Sequence, residues 1–378
     1  MPENEEFFQE QSEQSAVKTK IVASYFSAWS RVMKNNWPGT LAYIDLFCGP
    51  GRYSDNAASA PVKIINDTLM DPSLSSRMRF IFNDMDPNNI ASLQSVISEI
   101  DTKGILKDRI QYHNETIAQG FDQRIRIPSS VPVLSFVDPF GYKGLTLDLI
   151  NKLISTNGSD CIFFFNYNRI NMAISNTKFD EHLVGLFGEN ELSLLKQRLL
   201  YLSPEEREPI VLKSLIDALM QGKSNYVLPF KFYGAEQLRT SHFIVFVTKH
   251  PTACKIMKTI MYQNSAKDQD GVALFRLEDR RNFASKAFQL SLLEERPLVE
   301  LKEKLAKDYS GKEASVGTIC NSYDTDFSNH FVGDNVKEAL RMLEKEQGLQ
   351  VISGRKIAIR NGKICMPDKA VVRFATKE

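Results

Sequence analysis

For most of its length this sequence predicts an α/β fold: a doubly wound, mostly parallel sheet covered by helices on both faces. Three observations carry that expectation. Short apolar runs alternate with stretches of helical periodicity. The first apolar run breaks directly into a glycine turn, Gly49-Pro50-Gly51. Late in the chain two β-like runs, Tyr226–Tyr233 and His242–Thr248, lie close together and read as a terminal antiparallel hairpin.

Each element follows from local chemistry. Residues 1–15 are acidic and Gln-rich and are expected to fray. Val17, Ile21, Val22, Tyr25, Phe26, Trp29, Val32 and Met33 recur at helical spacing, and Trp37-Pro38-Gly39 ends that helix. Strand one is expected over 41–47 and a helix from Pro61 to Met70; strand two is Arg79–Asn83, with a helix from Pro87 to Ile100. Strand three is Ile110–His113, strand four Val131–Val137, then a helix from Leu145 to Ser155 and strand five, Cys161–Phe165. Residues 176–222 are charged and helical and read as an insertion, either for substrate recognition or as a plain cap. A helix from Pro251 to Tyr262 follows the hairpin.

The domain boundaries expected are 1–38 for a tail and helix, 39–266 for the sheet domain, 267–295 for a polar linker and 296–378 for a small second domain. In that last part Leu298–Leu305 and Val336–Leu343 have helical periodicity, with Val316–Ile319 opening a short helix between them. Leu349–Ile352, Lys356–Ile359 and Val371–Phe374 look like short strands. Helices followed by a β-ribbon suggest a winged-helix-like domain.

The 378 residues carry a net charge of +1, so bulk electrostatics neither demands nor excludes nucleic acid. Cys48, Cys161, Cys254, Cys320 and Cys365 form no C-x-x-C pair, which argues against zinc or a disulfide scaffold and for a reducing, cytoplasmic setting. No secretory signal or bilayer-length apolar stretch is read. The five histidines show no paired ligand spacing, so no metal is expected, and no P-loop occurs.

Residues 41–53, Leu-Ala-Tyr-Ile-Asp-Leu-Phe-Cys-Gly-Pro-Gly-Arg-Tyr, are the most informative stretch. Glycine at 49 and 51 permits a sharp turn and leaves bare backbone for a ligand to lie on. With a strand and Asp45 in front, a nucleotide-type ligand is expected at the carboxyl end of strand one. This wording resembles motif I of class I S-adenosylmethionine (SAM)-dependent methyltransferases, which implies a Rossmann-like methyltransferase sheet. The same resemblance implies SAM held by Asp45, Phe47, Gly49 and Gly51, with Asp45 near the amino-acid end.

At the end of strand two, Asn83-Asp84-Met85-Asp86-Pro87 offers Asp84 to both ribose hydroxyls and Met85 to the adenine face. A solvated turn carboxylate is the competing reading of Asp84. Asp86 before Pro87 reads as a helix N-cap. The separation from Gly51 exceeds the roughly 20 residues usual for such folds because the loop Arg52–Ala60 intervenes. After strand three, Asn114 or Glu115 meets the adenine edge or lies in an ordinary loop; the sequence does not separate the two.

Strand four runs into Val137-Asp138-Pro139-Phe140-Gly141-Tyr142. Amino-group methyltransferases carry Asp/Asn/Ser-Pro-Pro-aromatic at this place. Two acceptors, the Asp138 side chain and the Pro139 carbonyl, would hold the protons of an exocyclic amine so that its lone pair faces the methyl donor. Phe140 or Tyr142 would stack on the base. Phe140 replaces the second proline of that pattern, and a helix-capping or methionine-contacting role for Asp138 weighs equally. Cys48 is not read as a nucleophile: enzymes with this motif I that attack carbon use a Pro-Cys pair, and none occurs here.

Together, Tyr43–Tyr53, Asn83–Asp86 and Val137–Tyr142 resemble the three-Cys-motif partner (TcmP) family, most strongly between residues 20 and 260. That resemblance implies a radical-SAM-like protein partner. The basic residues Arg355, Lys356, Arg360, Lys363, Lys369 and Arg373 could grip nucleic-acid phosphates or form a solvated hairpin face. The functional expectation is a methyltransferase modifying a nucleic-acid base, DNA or RNA, at an exocyclic amine. Its rivals are a methyltransferase for a small molecule or protein, and a non-catalytic SAM-fold sensor or interaction module working through a partner.

Overall fold

The computed structural model describes residues 12–117, 125–126, 128, 130–139, 141, 143–221, 225–233, 240–267, 272–277, 297–326, 329–355, 359–360 and 363–376. Two compact units make up the chain, Met1–Ile260 and Met261–Glu378.

In the first unit α1 (Glu13–Asn36) starts at Ser12, whose hydroxyl accepts the Ser15 N–H. Ile21, Val22, Tyr25, Phe26 and Trp29 form one buried stripe along it. Then come β1 (Leu41–Asp45), α2 (Ala60–Leu69), α3 (Pro72–Ser75), β2 (Met78–Asn83), α4 (Pro87–Ile100), β3 (Ile110–His113), β4 (Val133–Val137), α5 (Leu147–Leu153) and β5 (Asp160–Phe165). β1 and β4 are buried at every position, as strands covered on both faces must be. Strand one stops two residues short of its expected end because the chain turns there: the Phe47 N–H donates back to Asp45 Oδ1.

Four helices follow β5: α6 (Tyr167–Ile174), α7 (Asp180–Phe187), α8 (Glu189–Arg198) and α9 (Pro204–Met220). The hairpin is β6 (Tyr226–Tyr233) with β7 (Thr240–Thr248), and α10 (Pro251–Gln263) comes after it. Strands β1 to β5 pair parallel with one another, β7 pairs antiparallel with β5, and β6 antiparallel with β7. The order within this unit is β3-β2-β1-β4-β5-β7-β6. The sheet grows from β1 to β3 on one side, and β4 returns to the other side of β1. At that reversal the loops leaving β1 and β4 diverge and open a crevice at the carboxyl ends.

The second unit contains α11 (Pro297–Asp308), β8 (Glu313–Ser315), α12 (Val316–Asp324), α13 (Gly333–Lys345), β9 (Leu349–Ser353), β10 (Ile359–Arg360), β11 (Lys363–Ile364) and β12 (Val371–Phe374). β12 lies between β9 and β8 in an antiparallel sheet, and β10 with β11 forms a ribbon. Leu301, Leu305, Ile319, Val336, Leu340, Val372 and Phe374 make its core. Of the basic residues expected on the ribbon, Arg355 is bound by Glu344 and Arg373 by Glu313, each ion pair under 3 Å. The side chains of Lys356, Arg360 and Lys363 lie outside the described residues, as does most of the stretch 267–295.

Candidate functional site

Strand register brings three carboxylates to one edge. Asp45, the last residue of β1, pairs with Phe82 of β2 and Phe136 of β4. Two residues beyond those partners stand Asp84 and Asp138. All three line a crevice of about 610 Å³, together with Phe47, Cys48, Gly49, Gly51, Met85, Pro139 and Lys18. That volume suits a ligand of nucleoside size.

Asp45 is buried at the floor. Burial pushes its carboxyl up to about 8, with Asp138 and Asp84 adding like charge; the Phe47 N–H and the Tyr43 hydroxyl, which donate to it at 3.2 and 3.3 Å, favour the ion but lose the contest. A cation arriving beside Asp45 would draw off its proton.

Asp84 holds the glycine turn. Its Oδ2 accepts the Gly49 N–H at 3.0 Å, while Oδ1 accepts the Asp86 N–H at 2.9 Å and the Asn89 side-chain amide at 3.2 Å. A carboxylate has about four acceptor sites, so one remains, on Oδ2. There is room for one ribose hydroxyl at Asp84 rather than the two expected from sequence. Met85 beside it is 51% exposed, an apolar surface at the crevice mouth. Asp86 caps α4 by accepting the Asn88 N–H.

The two glycines differ in what they do. Gly49, at φ 64°, turns the chain so that its N–H meets Asp84. Gly51, at φ 90°, is bare because a Cβ there would come 2.9 Å from Leu93 Cδ1 of α4. Its missing side chain serves this backbone conformation and the packing toward the helix, and Gly51 also lines the crevice.

Asn83, fully buried, is the clamp of the site. Its amide donates to the Leu46 and Glu115 carbonyls at 3.0 and 2.9 Å and accepts the Glu115 N–H at 2.9 Å, tying together the loops after β1, β2 and β3. The Cys48 N–H donates to the Asn83 carbonyl, and burial pushes the Cys48 thiol well up, which suits a packing role. Asn114 is not among the crevice-lining residues; its amide donates to the Asp84 carbonyl at 2.8 Å.

Asp138 Oδ2 accepts from Lys18 Nζ in an ion pair. Lys18 is buried on α1, one turn before Ile21 and Val22, and its ammonium lies 4.8 Å from the centre of the Phe164 ring. Burial alone would pull the Lys18 pKa down, but Asp138 more than offsets it and the net shift is upward. Lys18 is therefore charged and neutralises Asp138. Among the described residues nothing donates to Asp138 Oδ1, which stays available as an acceptor. Pro139 is buried against the crevice. Phe140 and Tyr142 lie outside the described residues.

The far wall is formed by Phe164, Asn166, Arg169, Met172 and His242. His242 stacks on Phe164 with ring centroids 4.6 Å apart, and its Nδ1 is buried without a hydrogen-bond partner. Burial lowers its pKa to about 4, so the ring is neutral at pH 7. Sequence reasoning missed Lys18, Phe164 and His242. The one available signal was that Lys18 continues the apolar stripe of α1 three and four residues before Ile21 and Val22.

No protein-family model matches the chain, and no curated protein matches it. Solved structures with a similar course include an rRNA methylase from Streptococcus thermophilus (11% identity, 58% of this chain and 92% of that one, TM-score 0.28). A candidate methyltransferase from Streptococcus mutans in complex with SAH has 12% identity over 55% of this chain and 88% of that one, with a TM-score of 0.28. A Legionella pneumophila protein has 10% identity over 64% of this chain and 91% of that one, with a TM-score of 0.36. Likenesses this faint carry no argument, and the functional reading rests on the crevice.

Proposed function

We propose that this chain is a SAM-dependent methyltransferase that modifies a nucleic-acid base at an exocyclic amine. The observation that supports it is the convergence of Asp45, Asp84, Asp138 and the Gly49 turn on one crevice at the sheet reversal. SAM supplies an electrophilic methyl group on a sulfonium. Asp84 Oδ2 accepts one ribose hydroxyl, Met85 covers the adenine face, and Asp45 ionises against the ammonium of the amino-acid end. Asp138 Oδ1 and the Pro139 carbonyl accept the two amine protons, which turns the nitrogen lone pair toward the methyl group. Lys18 holds Asp138 in place through their ion pair. Phe164 and His242 offer an aromatic wall of the crevice, and Phe140 and Tyr142 are proposed to stack on the base. A base in a duplex would first be flipped out.

In this reading the second unit is a winged-helix-like domain and the chain a member of the three-Cys-motif partner family, working with a radical-SAM-like protein. The pairing of Arg355 and Arg373 with glutamates favours a second reading, in which the acceptor is a small molecule or protein and the second unit binds that partner. Mass spectrometry of nucleosides from cells expressing wild type and Asp138→Ala separates the two. A methylated nucleoside seen only with wild type supports the base reading. Identical nucleoside profiles, with SAM binding intact, refute it.

A further inference from the structure

The first unit has a second cavity, of about 420 Å³, which shares no lining residue with the crevice. It lies along the amino-terminal half of the sheet, against Thr40 and Ala42 at the start of β1 and Arg79 at the start of β2. Arg79, Arg109 and Arg126 converge on it, and Asp108 is the one carboxylate in its lining. Among the described residues none of the three guanidinium groups makes an ion pair or a hydrogen bond. The floor is apolar: Ala42 and Ile81, both buried, share the face of the sheet on which Arg79 stands. His113 also lines the cavity, and its Nε2 is buried without a partner.

Three like charges around one concavity repel, and with a single carboxylate among them the field inside is positive. Guanidinium groups have the fork geometry that matches phosphate oxygens. An apolar floor beneath such a rim suits the flat face of a base. We propose that this cavity binds a nucleotide through its phosphate, with Arg79, Arg109 and Arg126 as the phosphate ligands and Ala42 and Ile81 beneath the base. The phosphate belongs either to a free nucleotide or to a single-stranded nucleic-acid backbone. This inference stands independently of the methyl-transfer reading.

Titration of the full chain with uridine 5′-monophosphate and with a short oligothymidine, neither of which carries adenine, tests it. Wild type is expected to bind at least one of them at low salt. Arg79→Glu and Arg109→Glu should each weaken that binding at least about tenfold, and removing one arginine should lower the salt slope by about one. Arg109→Lys, which keeps the charge, should retain more affinity than Arg109→Glu. Binding of the mononucleotide identifies a free nucleotide as the ligand; binding of the oligomer alone identifies the backbone. If neither binds, or the glutamate variants bind as wild type does, the proposal is overturned. SAM titration of the same variants shows separately whether the crevice is intact.

Discussion

Replacing Asp45 with asparagine removes a carboxyl that the folded chain keeps protonated at a cost. Burial is the main reason its carboxyl titrates at about 8, against 3.8 for the free side chain. The unfolded chain therefore ionises first, and stability falls as pH rises from about 4 to about 8. At pH 7 the gap is roughly three pH units, which at about 1.4 kcal/mol per unit costs about 4 kcal/mol; at pH 5 the cost is under about 2 kcal/mol. Asparagine keeps the Phe47 N–H bond at Oδ1, and its NH2 can donate to the Tyr43 oxygen, so the long Tyr43 contact is kept with its direction reversed. Asp45→Asn should thus be more stable than wild type, by a margin that grows between pH 5 and pH 8, while its affinity for SAM falls. Both tryptophans, Trp29 and Trp37, belong to the first unit, so urea unfolding followed by their fluorescence reports on it. A variant less stable than wild type, or a margin that does not change with pH, would refute the reasoning.

Three further substitutions probe the scaffold. Gly51→Ala sets a Cβ against Leu93 at a positive φ and should cost about 1–3 kcal/mol, read as a lower urea midpoint; an unchanged midpoint would contradict the packing role. Asn83→Ala strips the clamp from three loops and removes the amide donor to the Leu46 and Glu115 carbonyls, at a cost of about 3 kcal/mol and with weaker SAM binding. Retention of both properties would show that the loops are held some other way. Lys18→Met takes the cation from Asp138 and leaves its Oδ2 without that donor. Methyl transfer should slow at least about tenfold with SAM affinity little changed, and an unchanged rate would remove Lys18 from the mechanism.

Much of the fold could be read from residue patterns, since interior parallel strands are short apolar runs and Pro87 and Ile100 bound a helix whose cap, Asp86, is explicit in the sequence. β8 escaped notice because three residues, Glu313–Ser315, leave no periodicity to detect. α6 follows β5 so closely, across Asn166 alone, that no turn signal separates them. The three carboxylates were visible because each ends an apolar run. Their partners were not: Lys18 reaches Asp138 from a helix 120 residues earlier, and His242 meets Phe164 across a strand pair. Nothing local encodes such contacts. The sequence also could not show that Asp84 spends most of its acceptor capacity on backbone and Asn89, which changes what it can offer a ribose.

Calorimetric titration with SAM tests the central claim most directly. The full chain should bind one SAM per molecule and release protons at pH 7 as Asp45 ionises. Met85→Glu, at an exposed position where folding is not at stake, should weaken the affinity severalfold or more. No binding, or binding indifferent to both Met85→Glu and Asp45→Asn, would contradict a methyl-donor site in this crevice.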